Sequence, residues 1–90
     1  MKQFTQAEFD AFPIVDGRKQ CPTGEYTQIC TLGEKCTFGE RCTFGYGCDF
    51  SMDCIFGARC RFTERCTFGA ECRFAEHCFF DTGCDFGAEC

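Results

Sequence analysis

Apolar and polar positions along most of this chain repeat every six residues. From residue 30 to residue 90 a cysteine opens each unit, and an apolar residue follows it two positions later, leucine in the first unit and phenylalanine in the other complete units. Because alternate residues of a β-strand face opposite sides of a sheet, the cysteine and the phenylalanine share one face. The unit Cys-x-Phe-Gly-x-x therefore predicts a short strand with an apolar face, followed by a turn.

The six-residue period also predicts how the strands assemble. A coiled coil requires a period of seven, and repeats of paired helices are several times longer. The sequence instead predicts an all-β fold, a single parallel β-solenoid of triangular cross-section in which three units close one coil. Residue n then lies beneath residue n+18, about 4.8 Å away. The glycine that usually follows the phenylalanine is expected to turn each corner, because it adopts backbone angles that other residues avoid.

An inward-facing ladder follows from this register. Its predicted cysteines are Cys30, Cys36, Cys42, Cys48, Cys54, Cys60, Cys66, Cys72, Cys78 and Cys84. Its predicted phenylalanines are Phe38, Phe44, Phe50, Phe56, Phe62, Phe68, Phe74, Phe80 and Phe86. One further unit fits upstream, with Gly24 in the cysteine position and Tyr26 in the phenylalanine position, so the solenoid is predicted to span residues 24–90.

The cysteines admit three interpretations. In the first they are free thiols that act as small apolar groups beside the rings, as buried free cysteines commonly do. In the second, stacked pairs form disulfides, because a Cα separation of about 4.8 Å is allowed, although parallel neighbours point their Cβ atoms the same way. In the third the columns bind a metal ion or an iron–sulfur cluster, although the spacing is not that of a CxxC motif. The first interpretation is favoured, so no metal site and no cofactor is assigned.

The unit resembles the hexapeptide repeat of left-handed parallel β-helix proteins. In that family an aliphatic residue is followed by Gly, Ala, Asp or Glu, and a small residue lies two positions before the aliphatic one. Here Phe replaces the aliphatic residue and Cys is the small one. Ala75 and Asp81 match the family at the turn, whereas Ser51 and Thr63 depart from it. The resemblance covers residues 24–90 and implies left-handed coils.

Enzymes of that family transfer acyl groups, and the resemblance implies that a catalytic histidine would project from a coil or loop. His77 is the single histidine of this chain and falls at a predicted corner, in a repeat without loop insertions. Ser/His/Asp triads and phosphate-binding glycine loops are also absent from the sequence. We therefore assign no catalytic residue and predict that the protein is not an enzyme. The Cys-Thr-Phe-Gly-Glu-Arg style of repeat and the opening segment also resemble uncharacterised phage and prophage proteins, which implies no activity.

Residues 1–23 lie outside the repeat and are predicted to form an N-terminal cap. The segment carries both a capping box and a hydrophobic staple, which mark the start of a helix. These residues are Thr5 with Glu8 and Phe4 with Phe9. The signals predict a short helix over residues 6–12, terminated by Pro13. Its aromatic side chains are expected to cover the open first coil.

Cysteine content and net charge limit the cellular location and the classes of partner that we expect. Twelve cysteines among 90 residues would be typical of a secreted, disulfide-rich domain. The first ten residues contain no apolar run that could serve in a secretory signal, and no segment is long enough to span a membrane. A cytoplasmic location without a membrane partner is therefore expected. The formal net charge of −5 disfavours direct binding to nucleic acids.

The predicted solenoid has no cap at its C-terminal side. Cys90 opens a new unit, and no capping segment follows it. We expect this end either to continue in a longer protein or to dock on another molecule, because open strand edges pair readily. The docked molecule would be a second copy, which gives an end-to-end homodimer, or another protein partner. Phe86 and Cys90 are the candidate interface residues.

A second candidate interface is acidic and occupies one corner with its adjoining strand. Its residues are Asp49, Asp53, Glu71, Asp85 and Glu89. The leading hypothesis is a non-enzymatic structural or protein-interaction module that assembles through the C-terminal end of the solenoid. The alternative is a phage-encoded inhibitor that binds a host nucleic-acid-handling protein through this acidic face.

Overall fold

The computed structural model describes residues 2–90, which form a parallel β-solenoid of about four turns preceded by one short helix. The helix is α1 (Gln6–Asp10). The strands are β1 (Ile14–Val15), β2 (Arg18–Cys21), β3 (Glu25–Tyr26), β4 (Thr31–Gly33), β5 (Cys36–Phe38), β6 (Thr43–Phe44), β7 (Asp49–Phe50), β8 (Ile55–Phe56), β9 (Arg61–Phe62), β10 (Thr67–Phe68), β11 (Arg73–Phe74), β12 (Phe79–Phe80) and β13 (Asp85–Phe86). The predicted all-β solenoid with a short N-terminal helix is confirmed.

The strands form three sheets, one for each side of a triangle. Their orders are β1-β2-β5-β8-β11, β4-β7-β10-β13 and β3-β6-β9-β12. Neighbouring strands of successive coils are parallel, and their paired residues are 18 positions apart, as in Phe44↔Phe62 and Thr67↔Asp85. Three units of six residues therefore close one coil, in agreement with the predicted register.

Phenylalanine rings fill the interior in three columns. From Phe38 onward, each ring stacks on the ring 18 residues later, with centroids 4.8–5.1 Å apart and planes within 8° of parallel. Rings in neighbouring columns meet edge to face, with centroids 4.9–5.1 Å apart. Both geometries are favourable for aromatic rings, and each pair contributes about 0.5–1.5 kcal/mol beyond the burial of its area. The interior is thus held by ring packing along and between the columns.

The chain turns each corner at the last residue of the unit. This residue has a φ between 54° and 75° at Lys35, Arg41, Gly47, Asp53, Arg59, Arg65, Glu71, His77, Gly83 and Glu89. In the seven of these residues that lie before the last coil, the N–H group donates to a carbonyl of the next coil, for example from Arg41 to Ala58 at 2.8 Å. A left-handed backbone costs a residue with a Cβ atom about 1–2 kcal/mol. The hydrogen bond between coils offsets that strain, which is why charged residues are accepted at this position.

The glycine that follows the phenylalanine has a different role from the predicted one. Gly57 and Gly69 do not have a positive φ. A Cβ atom at Gly57 would lie 2.7 Å from the backbone nitrogen of Glu40, and one at Gly69 would lie 2.6 Å from that of Met52. Glycine is favoured here because the backbones of successive coils approach closely. The expectation that this glycine supplies a left-handed backbone at the corner is therefore wrong, except at Gly33, whose φ is 79°.

The N-terminal helix begins as predicted and ends earlier. Thr5 is its N-cap and forms the predicted capping box with Glu8. Its last residue is Asp10 rather than residue 12, and Ala11 is the C-cap. The proline at position 13 restricts the residue before it to an extended backbone, so the helix stops before that residue.

Rings of the N-terminal segment continue the interior columns over the first coil. Phe4 stacks on Tyr26 with centroids 5.1 Å apart, and Tyr26 stacks on Phe44 at 5.5 Å. Phe9 lies nearly parallel to Phe38 at 6.5 Å. All five rings are buried. The segment therefore covers the first coil by imitating a further layer of the ladder, and Tyr26 takes the predicted phenylalanine position.

Parallel pairing begins upstream of residue 24. β2 pairs in parallel with β5, with Cys21 opposite Phe38. β1 pairs with β2 in antiparallel orientation and covers its outer edge. The tight connection between β1 and β2 has a positive φ at Asp16 and Gly17. The predicted division between residues 23 and 24 therefore falls within the first coil, because part of the segment assigned to the cap is a strand of the solenoid.

Cys30 does not belong to the inward ladder. Its side chain is exposed, and the fully buried Ile29 takes the inward position. The N–H of Ile29 donates to the carbonyl of Tyr26 at 3.2 Å, and the pairing of β4 with β7 shifts between Thr31 and Gly33. An isoleucine removes more apolar area from water than a cysteine, which favours this register. The prediction that Cys30 faces the core is wrong.

Substitutions of Arg59 test the left-handed corner. Arg59 is exposed and has a φ of 62°. We expect Arg59→Val to lower the free energy of unfolding by roughly 1–2 kcal/mol, because a branched side chain tolerates this backbone region poorly. Arg59→Gly should change it by less than about 0.5 kcal/mol, since relief of strain and the greater entropy of the unfolded chain oppose each other. Urea denaturation measures both, and equal stabilities of the two variants would contradict this role of the corner.

Candidate interaction surfaces

Within residues 2–90, three strands at the C-terminal side of the solenoid have one unpaired edge. β11, β12 and β13 are the outermost strands of their sheets. In the coil before them, the phenylalanine carbonyls accept N–H groups of the next coil at 2.8–3.1 Å. The corresponding carbonyls of the last coil belong to Phe74, Phe80 and Phe86, and within residues 2–90 no N–H donates to them. Each side of the triangle therefore presents an edge that another strand can pair with.

The ring columns end at the same place. Phe74 and Phe80 are only partly buried, whereas the equivalent rings one coil earlier are fully buried. Phe86 is 46% exposed, and Phe79, on the outer side of its strand, is 60% exposed. The last-coil surface is defined here as Phe74, Phe80, Phe86, Cys78, Cys84 and Cys90. It places both candidate residues, Phe86 and Cys90, beside open strand edges, and exposed apolar groups of this kind are typical of interaction sites.

Three of the five acidic candidates share one corner. Asp53, Glu71 and Glu89 follow one another in successive coils and, together with Arg73, line a cavity of about 300 Å³. Arg18 reaches the same corner, where a guanidinium nitrogen lies 3.5 Å from the carboxylate of Asp53. The corner therefore carries charges of both signs.

The other two acidic candidates lie on the outer side of a sheet. Asp49 belongs to β7 and Asp85 to β13, and Thr67 of β10 is paired with both of them. One strand therefore separates the two carboxylates. The structure therefore places three of the five acidic residues at a corner that also carries arginines, and the other two on β7 and β13, the strands that lead into that corner.

All twelve cysteines are free thiols. Burial raises the pKa of the Cys72 thiol to about 11, and it also raises the pKa of Cys78 and of Cys84. The Sγ–H of Cys78 donates to the carbonyl of Gly57 in the preceding coil at 3.3 Å. These thiols are protonated at neutral pH and are weak nucleophiles, because the thiolate is the reactive form. The structure agrees with the free-thiol interpretation of the columns and not with disulfides.

An apolar groove that the sequence did not indicate lies beside the N-terminal segment. Its volume is about 480 Å³. The lining residues are Phe12, Pro13, Gln20, Cys21, Pro22, Thr37, Phe38 and Gly39. The groove forms where β2 joins the first coil. Residues 1–23 carry no periodic signal that would place this junction, so a sequence pattern could not have revealed it.

Neither the single histidine nor the comparisons with known proteins assign an activity to this chain. His77 is exposed at a corner with a φ of 60°. Among residues 2–90, no three side chains of His, Cys, Asp or Glu converge as the ligands of a single metal ion would. None of the helices formed by these residues is both long and apolar enough to cross a membrane. In comparisons with known proteins, no family model, curated protein or solved structure matches this chain.

The rate at which each thiol reacts should depend on how deeply its cysteine is buried. Cys30 and Cys90 are exposed, whereas most of the others are buried. In native buffer an aromatic disulfide reagent should modify these two thiols rapidly and most of the others only after denaturation, because burial makes them inaccessible. Cys30→Ser should remove one rapidly reacting thiol. Rapid reaction of nearly all twelve thiols in the folded protein would show that the columns are open to solvent.

Proposed function

We propose that this protein is a non-enzymatic structural or protein-interaction module that associates through its last-coil surface. The observation that carries the proposal is the coincidence of exposed rings and open strand edges on one surface. Phe86 is 46% exposed, although the rings beneath it in the same column, Phe50 and Phe68, are buried. A single contact would remove the exposed rings from water and also pair the edges.

A second copy is the partner that we propose. In a two-fold pair the two last coils face each other with their strands antiparallel, an orientation that allows both copies to exchange backbone hydrogen bonds. Rings of one copy would pack on rings of the other, as Phe86 packs on Phe68 within one chain at 5.1 Å. Such a contact uses the same surface on both copies. Because neither copy then has a free surface of this kind, assembly stops at the dimer.

The opposite end of the solenoid is covered by the chain itself. Phe4 and Phe9 lie over the first coil, and β1 pairs with the outer edge of β2. A head-to-tail contact would have to displace these elements. The arrangement therefore favours a homodimer over a filament.

The proposal also includes the repeat family, the handedness of the coils and the cellular location. The unit Cys-x-Phe-Gly-x-x supports a hexapeptide-repeat protein with left-handed coils, in a Cys- and Phe-rich form that resembles phage proteins. The free thiols support a cytoplasmic location, because cysteines remain reduced in that compartment.

An inhibitor of a nucleic-acid-handling protein is the second candidate function. The column of Asp53, Glu71 and Glu89 favours it, because carboxylates at successive coils could imitate a row of phosphates. Arg18 and Arg73 at the same corner weaken that imitation. We therefore rank this function below self-association.

Sedimentation velocity tests the association. We expect the wild-type protein to form dimers at high micromolar concentration, because pairing buries the rings of two last coils. Phe86→Lys should be monomeric under the same conditions, since it places a charge in the centre of the contact. The control is Ile14→Lys, which introduces the same charge at a 65% exposed apolar position near the other end.

The control variant should dimerise like the wild type. A wild type that stays monomeric at high micromolar concentration would overturn the proposal. So would a Phe86→Lys variant that dimerises as strongly as the wild type, because the contact would then lie elsewhere.

A further inference from the structure

One column of rings is interrupted in the first coil. Phe38, Phe56 and Phe74 stack on one another with centroids 5.0–5.1 Å apart. In the strand on the other side of β5, Cys21 is the residue paired with Phe38. A cysteine therefore occupies the position that a phenylalanine has in the coils that follow, and Phe9 of the helix covers Phe38 only at 6.5 Å. The smaller side chain leaves space beside the end of the column.

The apolar groove lies at this interruption. Cys21 and Phe38 both line its volume of about 480 Å³. The half-buried ring of Phe12 and the two prolines, Pro13 and Pro22, complete most of its walls. Binding sites for small molecules are typically concave and mostly apolar, with volumes of about 300–1,000 Å³. The groove has the size and the lining of such a site.

Several polar groups of the lining are already engaged within the chain. The side-chain amide of Gln20 donates to the carbonyl of Arg18 at 3.1 Å, and Nε of Arg18 donates to the hydroxyl of Thr37 at 2.9 Å. The N–H of Gly39 donates to the carbonyl of Cys21 at 3.0 Å. No lysine, arginine, histidine, aspartate or glutamate is among the residues of the described range 2–90 that line the groove. A charged ligand would lose water here without gaining a partner, so the lining is complementary to an uncharged one.

We propose that this groove binds an uncharged aromatic small molecule, one ring of which takes the place of the missing ring beside Phe38. Rings of neighbouring columns in this chain pack edge to face with centroids 4.9–5.1 Å apart. A ligand ring beside Phe12 and Phe38 can adopt the same geometry, which stabilises aromatic pairs beyond the burial of their area. An aliphatic ligand of the same size would lack that contribution.

The site does not depend on the proposed association. The groove is formed by the N-terminal segment and the first coil, whereas the last-coil surface lies at the other end of the solenoid. The Phe86→Lys variant should therefore bind the same ligand as the wild type. Failure of the dimer and failure of this site can thus be distinguished.

Fluorescence titration with N-phenyl-1-naphthylamine, an uncharged aromatic probe, tests the inference. The folded 90-residue protein is added to a fixed, low concentration of the probe. We expect emission to rise and saturate with one probe per chain and a dissociation constant of about 1–100 μM, as suits a ligand of this size. Phe86→Lys should give the same curve. The absence of saturable binding, or its loss in Phe86→Lys, would overturn the inference.

A charged analogue tests the proposed ligand class. The probe 8-anilino-1-naphthalenesulfonate has the same rings and adds one sulfonate. Its binding should be weaker by about tenfold or more, because no cationic side chain lines the groove to pair with the sulfonate. Equal or tighter binding of the sulfonate would contradict selection for an uncharged ligand.

Substitutions locate the site. Cys21→Phe supplies the missing ring and should abolish binding of the uncharged probe, with a circular dichroism spectrum like that of the wild type. Gln20→Glu keeps the shape of the lining but adds a charge, and should weaken binding by about tenfold. Its matched control is Gln28→Glu, the same change at an exposed position outside the groove, which should alter binding by less than about twofold.

The two glutamate variants keep the test decisive if Cys21→Phe does not fold. Unchanged binding in Gln20→Glu would contradict the assignment of the probe to this groove. Equal weakening in Gln20→Glu and Gln28→Glu would contradict it as well, because the effect would then come from net charge alone.

Discussion

Stacking of phenylalanine rings at the spacing of the strands is the interaction on which this structure depends. Parallel strands lie about 4.8 Å apart, and aromatic rings are attracted at nearly the same centroid distance. Because three units close a coil, each ring meets a ring of the same kind, at 4.8–5.1 Å. A six-residue unit therefore satisfies the backbone hydrogen bonds and the packing of the core together. The small cysteine in each unit leaves room for three rings in one layer.

The corners supply the second constraint, and they explain which positions of the unit vary. The last residue must accept a left-handed backbone and point its N–H toward the next coil, but its side chain is free to differ. Residues as unlike as Arg41, Asp53 and Gly83 therefore stand there. The position after the phenylalanine is limited instead by the approach of two backbones, which favours glycine. Surface charge can thus change from corner to corner without affecting the ladder.

Where the six-residue period holds, the sequence alone was sufficient to predict most of the fold. It placed the ring columns, the register of 18 residues, Tyr26 in the ladder, and the capping box of Thr5. It misplaced Cys30, because two adjacent apolar residues can compete for one inward position and Ile29 buries more area. Outside the repeat it predicted the start of the N-terminal helix but not the elements that follow that helix. The β1–β2 hairpin and the groove beside it arise from contacts between segments that share no repeat.

For the candidate surfaces, sequence reasoning found the residues and the corner that three of the acidic ones share, but not every basic side chain that reaches that corner. Phe86 and Cys90 share the last-coil surface, as their positions in the final units suggested. The five acidic residues were assigned to one corner and its adjoining strand, but Arg18, which lies outside the repeat, was not part of that assignment. Arg18 lies 35 positions before Asp53 in the chain, and only the folded hairpin brings the two together. Such contacts depend on tertiary structure and leave no local signal.

The central claim is that buried ring columns hold the fold, and a pair of substitutions tests it most directly. Phe56 is buried in the middle of a column, whereas Phe86 is 46% exposed at the end of another. The measurement is the free energy of unfolding in urea. Phe56→Ala should lower it by roughly 3–5 kcal/mol, because the ring leaves a cavity that cannot collapse, and Phe86→Ala should lower it by far less. A loss below about 1 kcal/mol for Phe56→Ala, or equal losses for the two variants, would contradict the account.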